Sequence, residues 1–192
     1  MLKLIVERIP WLYACCDSDI CAADVASASR FQNERRRTEH LAWRRVVRRE
    51  LGRNITIDYN EVGAPIVDIA NTYISIAHST EHVAVAIADE KIGVDIEPLE
   101  RDFERVASRY MSPEEQRLCD DRLWPAFAWC AKEALYKLYG KRGLELKSDI
   151  RLHSYDNSNR RIGATLCEER EAHVDISIWD EEMVVAVAQF RE

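Results

Sequence analysis

The run from Trp124 to Tyr139 constrains the fold more than any other part of the sequence. Phe127, Cys130 or Ala131, Ala134 and Leu138 recur at helical spacing as one apolar stripe, and Gly140 stops the run, so a helix must lay that stripe on a core. Beyond it the period changes to that of strands, at Ile150 to Tyr155, Ile162 to Leu166, His173 to Trp179 and Met183 to Gln189. Upstream, Leu2 to Ile9 reads as a strand, Asp17 to Arg53 as two helical stretches and Ile55 to Tyr59 as a strand, with a turn at Gly63 and Pro65. Tyr73 to Ala77, His82 to Ala88 and Ile92 to Ile96 are β-rich runs parted by short polar breaks, which predicts neighbouring antiparallel strands. Arg101 to Tyr110 reads as an amphipathic helix, and Ser112-Pro113-Glu114-Glu115 as a capping-box start. Strand, helices and strands followed by helices and strands argue for an α+β fold over a doubly wound parallel sheet.

The chain has 192 residues, 47% hydrophobic and 32% charged, with six Gly and five Pro. That length forms one domain or two small ones and can bury a core without disulfides, and the composition excludes a disordered or collagen-like chain. No apolar stretch reaches the about 18 residues of a membrane span, and charge follows Met1 too soon for a signal peptide, so a cytoplasmic protein is expected. Six cysteines (Cys15, Cys16, Cys21, Cys119, Cys130, Cys167) form no C-x-x-C pair and read as reduced thiols.

Charge is unevenly spread. Between Arg30 and Arg53 nine arginines face three glutamates, a local charge of +6, so with −7 in total the remainder carries −13. Leu41, Val47 and Leu51 give Phe31 to Gly52 a helical period, and a basic helix therefore stands out from an acidic body. Arginine presents a planar donor fork suited to phosphate, whereas the acidic remainder repels a nucleic acid. A small phosphorylated ligand is the better fit.

Gly93-Val94-Asp95-Ile96-Glu97 puts two carboxylates at i and i+2 of a strand, on one face and about 6.5–7 Å apart at Cα. Like charges so placed repel unless a cation lies between them, which suits a hard metal such as Mg²⁺ or a solvent-facing strand end. On the helix, Trp129, Lys132, Glu133, Tyr136 and Lys137 form a second stripe, a carboxylate between two lysines with a tryptophan behind. Metal-binding carboxylates with lysines and arginines are what phosphoryl chemistry requires, because they neutralise and hold phosphate oxygens.

Gly93-Val94-Asp95-Ile96-Glu97 and, further on, Trp129-Cys130-Ala131-Lys132-Glu133-Ala134-Leu135-Tyr136-Lys137 resemble the paired signatures of 4′-phosphopantetheinyl transferases of the surfactin-synthetase-activating (Sfp-like) type. Gly63-Ala64-Pro65, Ser75-Ile76-Ala77-His78-Ser79, Ser112-Pro113-Glu114-Glu115 and Gly140-Lys141-Arg142-Gly143-Leu144 add to the likeness, which covers residues 30 to 150. Two departures stand out. Ala64 replaces the lysine of the family's G-K-P turn, and Ser75-Ile76-Ala77-His78-Ser79 keeps the imidazole of N-x-S-H-S without the preceding hydroxyl.

The resemblance implies two similar α+β halves related by a pseudo-twofold, residues 1–90 and 91–192. It implies that Asp95, Glu97 and Glu133 bind Mg²⁺, that Lys132 and Lys137 hold the pyrophosphate of coenzyme A, and that His78, beside Ser79, meets a coenzyme A phosphate. Arg37 and Arg44, seven apart on one face of the basic helix, are the candidates for the nucleotide 3′-phosphate, and Trp129 reads as packing. The serine hydroxyl of an apo carrier protein needs a base, for which Glu133 and Glu115 both remain open. The expected partners are coenzyme A and an acidic apo acyl or peptidyl carrier protein docked on the basic helix near Arg45 or Arg49, with no nucleic acid and no membrane, and the chain is expected to be a monomer. A metal-dependent nuclease is one alternative, although Leu99 stands where the common nuclease pattern has lysine, and a non-catalytic binding protein is the other.

Overall fold

The computed structural model describes residues 1–9 and 19–191, which excludes Cys15, Cys16 and the predicted helical start at Asp17. The chain divides into two compact units, Met1–Glu90 and Lys91–Glu192. Mixed helices and antiparallel sheets make the fold α+β.

The first unit contains β1 (Leu2–Arg8), α1 (Ala22–Ala28), α2 (Glu34–Leu51), β2 (Ile57–Tyr59), β3 (Pro65–Val67), β4 (Tyr73–His78) and β5 (His82–Ala88). β5 is the middle strand of an antiparallel sheet ordered β1-β5-β4, and β2 pairs with β3 as a separate hairpin. α2 begins at Asn33, whose side chain accepts from the Arg36 N–H, and ends at Gly52 with φ +115°. Its apolar residues Trp43, Val46 and Val47 pack with Val83, Val85 and Ile87 of β5.

The second unit contains β6 (Gly93–Pro98), a 3₁₀ turn (Glu104–Val106), α3 (Ala107–Tyr110), α4 (Pro113–Gln116), α5 (Trp124–Tyr139), β7 (Ile150–Asp156), β8 (Arg161–Leu166), β9 (Arg170–Trp179) and β10 (Met183–Phe190). Its sheet runs β6-β10-β9-β8-β7, all antiparallel. Phe127, Ala131, Ala134, Leu135 and Leu138 of α5 lie on Ile150, Ile162, Val174, Val184 and Ala186 of that sheet, as the stripe requires. Gly140 takes the left-handed conformation at the helix end.

Two expectations need correction. The third β-rich run does not neighbour the second: β6 pairs with β10, because both edges of β5 are already taken by β1 and β4 and a strand has only two. Arg101 to Tyr110 is a 3₁₀ turn followed by one short helical turn rather than a continuous helix.

Candidate functional site

The strand β6 and the helix α5 are brought together by Gly93. A Cβ built there would lie 1.9 Å from the Ala134 carbonyl oxygen, so only glycine lets the helix backbone approach this closely. The close approach carries Lys137 to the strand. Its ammonium donates to Asp95 Oδ1 at 2.8 Å and to the Val94 carbonyl at 2.9 Å. Asp95 is 7% exposed, and its second oxygen, Oδ2, is buried without a hydrogen-bond partner among the described residues. Two residues along, Glu97 accepts from Trp129 Nε1 at 2.7 Å and from Arg101 at 2.9 and 3.0 Å. The Arg101 guanidinium in turn lies 5.0 Å from the Trp129 ring centroid and 4.9 Å from that of Phe103.

Glu133 completes the acidic group. Burial first, and then the neighbouring charges of Asp95 and Glu97, push its carboxyl above the usual range, while Lys137 and Arg101 pull the other way. Among the described residues no three His, Cys, Asp or Glu side chains converge closely enough to hold one metal ion. Asp95 is bonded to Lys137, and Glu97 to Trp129 and Arg101. The donor chemistry nevertheless fits a hard divalent cation, since the three acids offer carboxylate oxygens, one of them buried and unsatisfied among the described residues.

In the first unit, His78 ends β4 with Nδ1 3.5 Å from Glu39 Oε2. Glu39 is buried and also accepts from Arg35 Nε at 2.8 Å and Arg36 Nη1 at 3.4 Å. Ser79 uses its hydroxyl to accept from the His82 N–H at 3.1 Å, shaping the turn between β4 and β5. Arg37 is exposed and donates to the Phe31 carbonyl at 2.5 Å.

Residues 91–188 match the family model of the 4′-phosphopantetheinyl transferase superfamily. The chain belongs to that superfamily. No curated protein matches it significantly. The matched stretch spans nearly all of the second unit and includes both Asp95 and Lys137. The protein is therefore a transferase of the phosphopantetheine-transferring class, whose general partners are coenzyme A and a carrier protein.

Against that background, three of the residues expected at the site of this superfamily member have other tasks. Lys132 is wholly buried, pairs with Glu115 at 2.7 Å, and donates to the carbonyls of Leu146 at 2.8 Å and Ile150 at 2.6 Å. It cannot reach a pyrophosphate beside Lys137, because consecutive helical residues point about 100° apart and Lys132 faces the interior while Glu133 and Lys137 face β6. Glu115 is equally committed. Its Oε2 accepts from the Ser112 N–H at 2.7 Å and its Oε1 from the Leu152 N–H at 2.8 Å and from Lys132, leaving no oxygen for a substrate proton.

Arg44 is the third. It donates to Asp24 Oδ1 at 2.9 Å in an interior cluster where Arg48 reaches both oxygens of Asp24 at 2.5 and 3.0 Å. Burial by itself would raise Asp24, yet the bonds from Arg48, the Cys21 N–H and Arg44 hold its carboxyl well below the usual range. Arg37 and Arg44 do share a helical stripe, but α1 covers only the later part of it. The arginines expected at a docking edge divide in the same way. Arg45 is 7% exposed and Arg49 is paired with Glu7 and Glu50, whereas Arg30, Arg35, Arg36 and Arg37 are exposed.

Three participants were not read from the sequence. Trp129 orients Glu97 in addition to packing; Arg101, four residues past Glu97, clamps the same carboxylate; Glu39 faces His78. The i,i+4 spacing of Glu97 and Arg101 was a visible signal, but it starts on a strand, where that spacing carries no expectation.

Proposed function

We propose that this superfamily member is Sfp-like and moves the 4′-phosphopantetheine arm of coenzyme A to a serine hydroxyl of an apo acyl or peptidyl carrier protein, with Mg²⁺, releasing adenosine 3′,5′-bisphosphate. The observation that carries the reading is the joining of the two signatures at Lys137 and Asp95, with Asp95 Oδ2 unsatisfied among the described residues. Asp95, Glu97 and Glu133 would hold the cation, which when bound neutralises the non-bridging oxygens of the pyrophosphate.

Lys137 supplies a positive charge at the rim of this cluster, where it can hold a pyrophosphate oxygen as the leaving bisphosphate gains charge. Trp129 and Arg101 fix Glu97 so that its carboxylate does not have to be ordered when substrate arrives. Glu133, at the edge of the cation site, would be the base that takes the proton of the serine hydroxyl while the serine oxygen forms the bond to phosphorus and the phosphorus–oxygen bond to the bisphosphate breaks. His78 would meet a coenzyme A phosphate, with Arg35 and Arg36 close by on Glu39.

The test is to incubate the protein with coenzyme A, Mg²⁺ and a panel of apo acyl and peptidyl carrier proteins and weigh the carriers. A gain of one phosphopantetheine arm is expected. No gain on any carrier, with folded protein and metal present, overturns the reading.

A further inference from the structure

Glu97 is held from two sides. Trp129 Nε1 donates to its Oε1 at 2.7 Å, and Arg101 reaches both of its oxygens with a single nitrogen, Nη1, at 2.9 and 3.0 Å. Nearly equal distances from one donor to two carboxylate oxygens put Nη1 on the bisector between them, the position that a cation chelated by both oxygens takes. The two holders differ in how firmly they are fixed. The Trp129 ring packs on Tyr110 at 5.0 Å and on Phe103 at 6.3 Å between centroids, and its backbone belongs to α5. The Arg101 side chain is 44% exposed, against 18% for Glu97, and the Phe103 and Trp129 rings beneath it hold it through charge rather than through a directed bond. The charge of Arg101 also reaches Glu133, where it acts with Lys137 against the burial of that carboxyl. One exposed arginine therefore bears on two of the three acids proposed to hold the cation.

We propose that Arg101 is a built-in competitor for this cation: it keeps Glu97 ordered and neutralised, and gives way when a divalent ion takes the carboxylate, while Trp129 keeps Oε1 in place. The inference rests on the proposed cation site. A divalent ion seated between the same two oxygens would lie against the guanidinium and repel it, so the two exclude one another. The affinity for metal is then set by a contest between two cations for one carboxylate, and Arg101 is a positioning residue that acts through Glu97.

Titration of the whole protein with Mn²⁺, which suits the same oxygen ligands as Mg²⁺ and whose free ion is counted by its EPR signal, tests this. Arg101→Met removes the charge and the donor fork and keeps an apolar stem over the two rings; the side chain is exposed, so the variant should fold. It should bind Mn²⁺ about fivefold more tightly than the parent, as expected for the loss of a partly exposed ion pair. Arg105→Gln removes the same charge from an exposed position on the neighbouring 3₁₀ turn, and it should change the affinity by less than about twofold. In a Glu97→Gln background, Arg101→Met should lose most of its effect, because the contested carboxylate is gone. Asp95→Ala tests the cation site itself and should weaken Mn²⁺ binding. If it does not, the site and the role of Arg101 fall together. If it does, and Arg101→Met binds Mn²⁺ no more tightly than the parent or than Arg105→Gln, the role of Arg101 alone is overturned and the cation site stands.

Discussion

Lys137 and Asp95 meet at 2.8 Å across the contact between α5 and β6, and the same ammonium also holds the Val94 carbonyl. The pair is asymmetric: the Asp95 side chain is 10% exposed and that of Lys137 30%. Removing one partner should therefore have a different effect from removing the other. Asp95→Ala leaves a lysine that keeps Val94 and can hydrate, so its melting temperature should stay near that of the parent while carrier modification falls by at least about 100-fold. Lys137→Met strands a buried carboxylate, at a cost of about 2–3 kcal/mol and a drop in melting temperature of roughly 5–10 °C. Calorimetric melting and the carrier mass shift measure both; an Asp95→Ala protein with an intact rate removes Asp95 from the reacting group.

The buried Lys132–Glu115 pair is expected to govern stability rather than binding. Burial pushes the Lys132 ammonium down, and Glu115 opposes this, so the charge survives only with its partner. Lys132→Met should lose about 3–5 kcal/mol in urea unfolding, and Lys132→Met with Glu115→Gln should lose less than the single change, because no uncompensated charge is left. At low temperature the KM for coenzyme A of the folded Lys132→Met fraction should match the parent. A rise in KM without loss of stability would return Lys132 to the phosphate-binding group.

Glu39 places negative charge beside the imidazole proposed to meet a phosphate. In Glu39→Gln the charges of Arg35 and Arg36 are no longer offset. The KM for coenzyme A should then fall about two- to fivefold at low salt, and the gain should shrink at high salt as the field is screened. Steady-state kinetics at two ionic strengths decide it, and an unchanged KM at both would separate Glu39 from coenzyme binding.

Acid should destabilise the first unit in two stages. His40 has its folded value lowered from 6.5 to about 4, so the unfolded chain takes up the proton first and stability falls as pH drops through that interval, by on the order of 3 kcal/mol. Asp24 is depressed, so its stabilisation is present above the ordinary carboxylate value and is lost below it, as pH falls toward the folded value. Urea melts of the parent and His40→Gln should show the parent losing stability relative to the variant as pH falls from neutral to pH 4, because only the parent carries an imidazole that the unfolded chain protonates first. Parallel curves would show that His40 does not carry the upper stage.

The sequence by itself determined the elements that are set locally. The period of Trp124 to Tyr139, the stop at Gly140, the cap at Ser112 and the four final strands all stand where the pattern placed them, since spacing and capping act within a few residues. Asp95, Glu97, Glu133 and Lys137 stood out as candidates for a similar reason, as two short runs of neighbouring residues, and the structure joins the runs at Lys137 and Asp95. Tertiary structure decided which charges are spent inside the protein. Arg44 and Lys132 have the same composition and periodicity as exposed cations, and only the packing of α1 on α2, and of α5 beside Ile150, turns them inward to Asp24 and Glu115. The pairing of β6 with β10 was settled in the same way, because an edge already occupied on β5 cannot be seen from β6 itself. Burial and partner choice arise between segments distant in sequence, and the short-range patterns that mark helices and strands do not contain them.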